Sequence, residues 1–278
     1  MTGAMDWAGR VGDTWAAEWR RTDRSLADLS RHLDAAIAAV APHRGGALDI
    51  GCGAGATSLA LHAARPAMEI TGVDLSPELV AVAQARAEGE AAGPVRFHCQ
   101  DALDLAARDG PFDLFVSRHG VMFFSDPVAA FRALRDAASP DATLVFSCFD
   151  ERGRNGFATL ADIVTGQEPP VLKGYAPGPF AFADFHQVAT WLEQAGWTLG
   201  AAARVAFDYR VGQGDDPVAD AVAFLSRIGP AARAIADAEP EERRRIVDAL
   251  AALLSDYRMG DQVVLPASAW IWRAHAGG

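Results

Sequence analysis

The stretch that most limits how this chain can fold is Leu48-Asp49-Ile50-Gly51-Cys52-Gly53-Ala54-Gly55. Residues 47–50 read as a short buried strand and residues 57–64 as a helix, and alternate glycines make the turn between them. Without side chains at Gly51, Gly53 and Gly55, backbone N–H groups can approach a ligand closely. The N-terminus of the following helix adds partial positive charge at the same place. In an open parallel sheet, ligands lie beyond the carboxyl ends of the strands, which is where this turn would sit.

Two further strands close on acids. Residues 68–73 form an apolar run ending at Asp74, after which Ser76 caps a helix with Pro77 in its first turn. An acid at the end of the second strand is well placed to accept hydrogen bonds from a ribose diol; its blander role is a second cap beside Ser76. Residues 95–99 lead to Gln100-Asp101-Ala102. A lone acid after a strand is common, and the set of Asp49, Asp74 and Asp101 is what makes the pattern specific. A fourth strand, 112–116, runs into Ser117-Arg118-His119-Gly120, and a fifth covers 143–149.

The glycines satisfy two templates. Gly51, Gly53 and Ala56 also fit the dinucleotide-binding G-x-G-x-x-G/A turn. Asp49 separates them, because a carboxylate there repels a pyrophosphate and attracts an ammonium.

Asp49 to Gly55 matches D/E-x-G-x-G-x-G, and with the downstream strands the chain resembles class I S-adenosylmethionine (SAM) dependent methyltransferases over residues 48–149. The resemblance implies an α/β fold: a Rossmann-like, doubly wound, mostly parallel seven-stranded sheet with helices on both faces and helical insertions. It implies SAM as cofactor, S-adenosylhomocysteine as product and no metal. It also implies direct displacement of the methyl group onto oxygen or nitrogen of a small-molecule acceptor. In that family the glycine turn passes under the methionine part of SAM and the acid orients its amino end, which assigns Asp49, Gly51, Cys52 and Gly53 to the cofactor. Asp74 and Leu75 take the ribose side by the same resemblance. Asp101 accepts from the adenine amino group, the Ala102 N–H meets the ring, and Ser117 lies beside the cofactor after the fourth strand. Related N-terminal helices carry a covering aromatic, for which Trp15 is the candidate; packing is the blander role of this Trp.

His119 departs from the aromatic expected at its position. With an unperturbed pKa near 6.5 it could accept a proton from the acceptor, so it is the candidate base and an acceptor contact. The alternative is that it fills the aromatic's place. Tyr175 is a second acceptor-binding candidate and His186 a weaker one.

The rest of the chain is read around that core. Trp15 and Trp19 stand four apart on one helical face, and a second helix starts near Ser25 with Asp28 in a capping-box position. Residues 1–44 are expected as a helical cover, 45–149 as the cofactor-binding core, and 150–182 and 215–260 as insertions over the acceptor, all within one domain, 1–278. The net charge of −11 argues against a nucleic-acid surface, and Arg243-Arg244-Arg245 sits among glutamates as a salt-bridged face. Three cysteines without metal-ligand spacing, no apolar run of membrane-spanning length and no signal-peptide pattern point to reduced thiols and the cytoplasm. Two rival functions are a nicotinamide-dependent oxidoreductase and a SAM-type fold kept for binding or for another reaction. The first is disfavoured by Asp49, Asp101 and the lack of an evident Tyr-x-x-x-Lys pair; the second is open, because folds outlive their chemistry.

Overall fold

A computed structural model describes residues 7–90, 93–166 and 174–277. Its centre is a sheet in the order β3-β2-β1-β4-β5-β8-β6. The strands are β1 (Gly45–Ile50), β2 (Met68–Asp74), β3 (Val95–Cys99), β4 (Phe112–Arg118), β5 (Ala138–Phe149), β6 (Thr198–Gln213) and β8 (Gln262–His275), with a two-residue β7 (Arg258–Met259) paired to β8. The first five are parallel; β8 runs antiparallel to both β5 and β6. β1 and β4 are adjacent although β2 and β3 lie between them in sequence. The strand order therefore reverses between them, and a crevice opens at their carboxyl ends.

β1 and β4 are apolar along most of their length because both faces are covered: Leu48, Leu114, Phe115 and Val116 are fully buried. Helices follow each parallel strand: α4 (Ala56–Ala64), α5 (Pro77–Gly89), α6 (Ala102–Asp109) and α7 (Pro127–Asp136). Their starts are chemically marked. Ser76, Asp101 and Asp126 each accept a hydrogen bond from the first turn of the helix that follows. On the far side Phe131, Phe146, Phe182, Trp197 and Trp272 fill the core, and the Trp197 indole donates to the Phe131 carbonyl at 2.8 Å.

β8 points Val263, Leu265 and Ala267 inward in alternation and pairs with the short β7 as a hairpin. Two sequence expectations are corrected. Ser25 ends a helix instead of starting one. α1 (Arg10–Ala17), α2 (Trp19–Ser25) and α3 (Ala27–Ala38) are separate, and Ser25 Oγ donates to the Thr22 carbonyl while Asp28 accepts from Asp208 N–H at 2.9 Å. The break at Glu18 also sends Trp15 and Trp19 in different directions. Trp15 packs 5.6 Å from Trp7, whereas Trp19 lies under the guanidiniums of Arg20 and Arg86.

The segments after β5 carry α8 (Gly156–Thr165) and α9 (Phe185–Gln194); those after β6 carry α10 (Pro217–Leu225), α11 (Pro230–Asp237) and α12 (Pro240–Ser255). α8 packs on α11 and α12. Arg243 donates to the Ile235, Ala236 and Ala238 carbonyls and Arg245 pairs with Glu242, so these two arginines of the basic run are engaged within the chain. Among the described residues no helix is long and apolar enough to cross a membrane.

Candidate functional site

The glycine turn bends as its residue types require. Gly51, Gly53 and Gly55 have φ of 64°, 53° and 81°, where side chains are strained. Their surroundings differ. A Cβ at Gly55 would press on Phe97, and one at Gly51 would sit 3.0 Å from the Gly120 Cα, so these two glycines let neighbouring structure come close. A Cβ at Gly53 would meet nothing within 4 Å, so the chain leaves space beside that residue.

Two acids flank the turn. Asp49 at the end of β1 is 1 % exposed; its Oδ2 accepts from Ser58 Oγ at 2.6 Å, and its buried Oδ1 has no partner. Burial raises its carboxyl to about 6, opposed by the Ser58 hydrogen bond and by Arg118. A cation arriving beside it would relieve that desolvation. Asp74 accepts from Gly53 N–H and from Ser76 N–H, each at 2.9 Å, and burial raises its pKa. The carboxylate thus ties the end of β2 to the glycine turn and still has lone pairs to offer. Leu75 and Ala102 are half-buried, and Cys52 is buried with its thiol pushed well up by desolvation.

Asp101 is exposed and serves as the N-cap of α6, accepting from Leu103 N–H at 2.7 Å. Ser117 is fully buried: its hydroxyl donates to the Ile50 carbonyl at 2.7 Å and accepts from Gly120 N–H at 3.1 Å. Its side chain therefore joins β1 to the loop after β4.

His119 adopts φ 63°, the only described non-glycine residue at positive φ. Such outliers persist where the surroundings over-determine them. The imidazole is buried and stacked on Phe149, 4.1 Å between centroids and 19° between planes, and both ring nitrogens lack partners. Burial, helped by the charge of Arg118, pulls its pKa down to about 3. The expectation of an unperturbed value near 6.5 is therefore corrected: the ring is neutral at pH 7 and a weak proton acceptor. Tyr175 is partly exposed; its hydroxyl donates to the Phe124 carbonyl at 2.6 Å, and its pKa is pushed up to about 12, mainly by burial.

The N-terminal helices lie over this crevice. Gly12 of α1 approaches Ser76 so closely that a Cβ would collide with its hydroxyl, which sets α1 against the end of β2. On the other flank Trp7 stands between Trp15 and Phe123 of the loop after β4, 5.6 and 5.0 Å away. α1 therefore packs at the end of β2, and Trp7 just before it reaches the loop after β4.

Sequence reasoning missed Ser58, Arg86, Arg118 and Asp23. Ser58 carried a signal, since it falls in the first turn of the helix that follows the glycine turn. Asp23, among Arg20, Arg21 and Arg24, looks in sequence like part of a solvated charged face. Among the described residues no group of three or more His, Cys, Asp or Glu side chains could hold a metal ion.

Comparison with known proteins bears on the same region. The family model described as a methyltransferase domain matches residues 48–146. A ubiquinone biosynthesis O-methyltransferase from Xanthomonas campestris is 33 % identical over 167 residues, 59 % of this chain and 66 % of that protein. An ajmaline N-methyltransferase from Rauvolfia serpentina is 36 % identical over 100 residues, 35 % of this chain and 34 % of that protein. The chain thus spans slightly less than two thirds of the first relative and about one third of the second. Among solved structures, the YcgJ protein of Bacillus subtilis superposes with a TM-score of 0.59 at 17 % identity, over 89 % of this chain and 99 % of that one, a likeness of fold. The glycine turn, the acids at the strand ends, the strand order and these matches identify residues 48–146 as a methyltransferase domain of the class I, Rossmann-like, SAM-dependent type.

Proposed function

We propose that the chain binds SAM across the carboxyl ends of β1, β2 and β3 and transfers its methyl group to a small-molecule acceptor held near the loop after β4. The observation that carries this reading is the open space at Gly53, flanked by Asp74 and by the unpartnered buried oxygen of Asp49. A pyrophosphate would meet the charge of Asp49, whereas an ammonium would satisfy it. SAM supplies a methyl on a sulfonium, a leaving group that needs no proton. The chain's own work is then alignment, which can lower a barrier by roughly 7–11 kcal/mol in favourable cases.

Asp49 orients the amino end of the cofactor, Asp74 accepts from the ribose hydroxyls and Asp101 with Ala102 holds the adenine edge. The helical cover, with Trp7 packed between Trp15 and Phe123, keeps water from the methyl. His119 presents a neutral ring to the acceptor and acts by contact rather than as a base. The O- and N-methyltransferase relatives differ in the atom they name, so the acceptor is proposed only as an oxygen or nitrogen nucleophile.

Calorimetry tests the cofactor directly. SAM and S-adenosylhomocysteine should each bind at micromolar protein. Heat from neither, or tighter binding of NAD or NADP, would sink the reading. Asp74→Ala should weaken SAM binding by about 1.5–3 kcal/mol, the range for hydrogen bonds to a charged group. The fold should persist, because Ser76 independently caps α5 through Leu79 N–H. A folded Asp74→Ala protein with unchanged affinity would leave the residue only its bonds to Gly53 and Ser76.

A further inference from the structure

One carboxylate outside the residues assigned above joins the cover to both loops of the site. Asp23 of α2 accepts from two arginines of different elements. Its Oδ2 meets Arg86 Nη1 of α5 at 2.9 Å and its Oδ1 meets Arg118 Nη2 at the end of β4 at 2.8 Å. The same Arg86 nitrogen donates to the Ala54 carbonyl of the glycine turn at 2.7 Å, and the guanidinium lies 4.4 Å over the Trp19 ring. Arg118 also donates to Ser30 Oγ of α3 at 3.0 Å and immediately precedes His119. All three side chains are largely withdrawn from solvent, with 20 % of Arg86, 21 % of Asp23 and 13 % of Arg118 exposed. They are not sealed in the core. Asp23, Ser30, Asp34, Thr57 and Arg118 line a cleft of about 240 Å³ beside the start of α4.

We infer that Asp23 is a positioning residue that locks the helical cover onto the glycine turn and the β4 loop, and that its charge offsets two guanidiniums that would otherwise repel the sulfonium of SAM. The inference rests on the SAM reading given above. The charge argument follows from the pairs themselves. Two cations share one anion, and losing the carboxylate leaves Arg86 without an ion-pair partner among the described residues and leaves Arg118 facing only the field of Asp49 and Asp34, at low exposure where charges are poorly screened. The two arginines attach to the segments between which the methionine end of SAM is proposed to run. SAM carries a positive sulfur and S-adenosylhomocysteine a neutral one, while their amino-acid and adenosine parts are the same. A field at the sulfur therefore separates the two ligands, whereas a loosened cover weakens both alike.

The test compares both ligands by calorimetry on the full chain. Asp23→Asn should lower affinity for SAM more than for S-adenosylhomocysteine, by a ratio on the order of fivefold, and the ratio should shrink in high salt. Asp23→Glu should restore it. Arg86→Gln removes one cation and should move the ratio the opposite way, toward SAM, which keeps the proposal testable if Asp23→Asn does not fold. Equal losses for both ligands in Asp23→Asn, or a ratio that does not reverse in Arg86→Gln, would overturn the charge role. A wild-type protein that binds neither ligand would instead overturn the SAM reading on which it rests.

Discussion

His119→Phe should make the ligand-free protein less sensitive to acid. In the folded chain the imidazole has its pKa pulled down to about 3, by burial first and by Arg118 second. In the unfolded chain it returns to about 6.5. Between those values the unfolded chain holds a proton that the folded chain does not. The imidazole therefore costs nothing above about pH 6.5 and removes stability as pH falls from there toward 3, on the order of 4 kcal/mol across the whole window. Two carboxyls act in the opposite sense. Asp49 and Asp34 are each raised to about 6, by burial first, with Arg118 opposing the shift in both. Their folded forms hold protons that the unfolded chain sheds, so they add stability as pH falls from about 6 toward 4. The acid response of the wild type is thus a difference between opposed groups within the same crevice. Removing the imidazole leaves the carboxyls, and Phe can keep the stack on Phe149. Denaturant unfolding at about pH 7.5 and about pH 4.5 should show the variant losing less than the wild type, by roughly 2–3 kcal/mol. Equal losses would mean that the ring titrates in the folded protein as it does in solution.

The same residue shows where sequence reading stops. That His119 follows the fourth strand is visible from apolar runs and turn residues, and so is the order of acids at the strand ends. Burial and stacking are not visible, because they depend on Phe149, thirty positions away, and on a left-handed backbone that only the fold imposes. The helix start at Ser76 was legible because the cap sits next to Pro, and that cap forms as expected. At Ser25 the same chemistry misled, since a hydroxyl in a last turn bonds backward to a carbonyl as readily as forward to an N–H. Within β8, Pro266 takes an outward position and keeps register opposite Asp208. Asp23 was illegible for a plainer reason. Its partners lie 63 and 95 positions away, and an acid in a run of arginines carries no mark of which ones it will face.

Gly120→Ala should cost both stability and cofactor binding, while Gly53→Ala should cost chiefly binding, with the smaller loss of stability. The contrast follows from what each glycine faces. Gly120 has ordinary backbone angles, φ −82° and ψ −45°, so alanine is not excluded by conformation. It is excluded by space. A Cβ there would collide with the Ile50 carbonyl oxygen and would lie 2.8 Å from Ser117 Oγ and 3.1 Å from the Gly51 Cα. Two of those atoms are backbone and cannot turn aside, and Ser117 is held by its bonds to Ile50 and Gly120. The loops after β1 and β4 must part, at a cost of about 3 kcal/mol, the upper part of the usual range for overpacking. Parting them displaces the turn on which SAM is proposed to rest, so affinity should fall roughly tenfold or more. Gly53 is the reverse case. Its φ of 53° strains an alanine by about 1–2 kcal/mol, but no atom stands within 4 Å of the added carbon. The methyl enters the open space at the turn and competes with the ligand. Thermal unfolding and calorimetry on the two variants separate these outcomes. If Gly120→Ala unfolds at the wild-type temperature and binds SAM normally, the two loops do not meet as closely as the backbone implies; if Gly53→Ala binds SAM as the wild type does, the open space at that glycine is not where the cofactor lies.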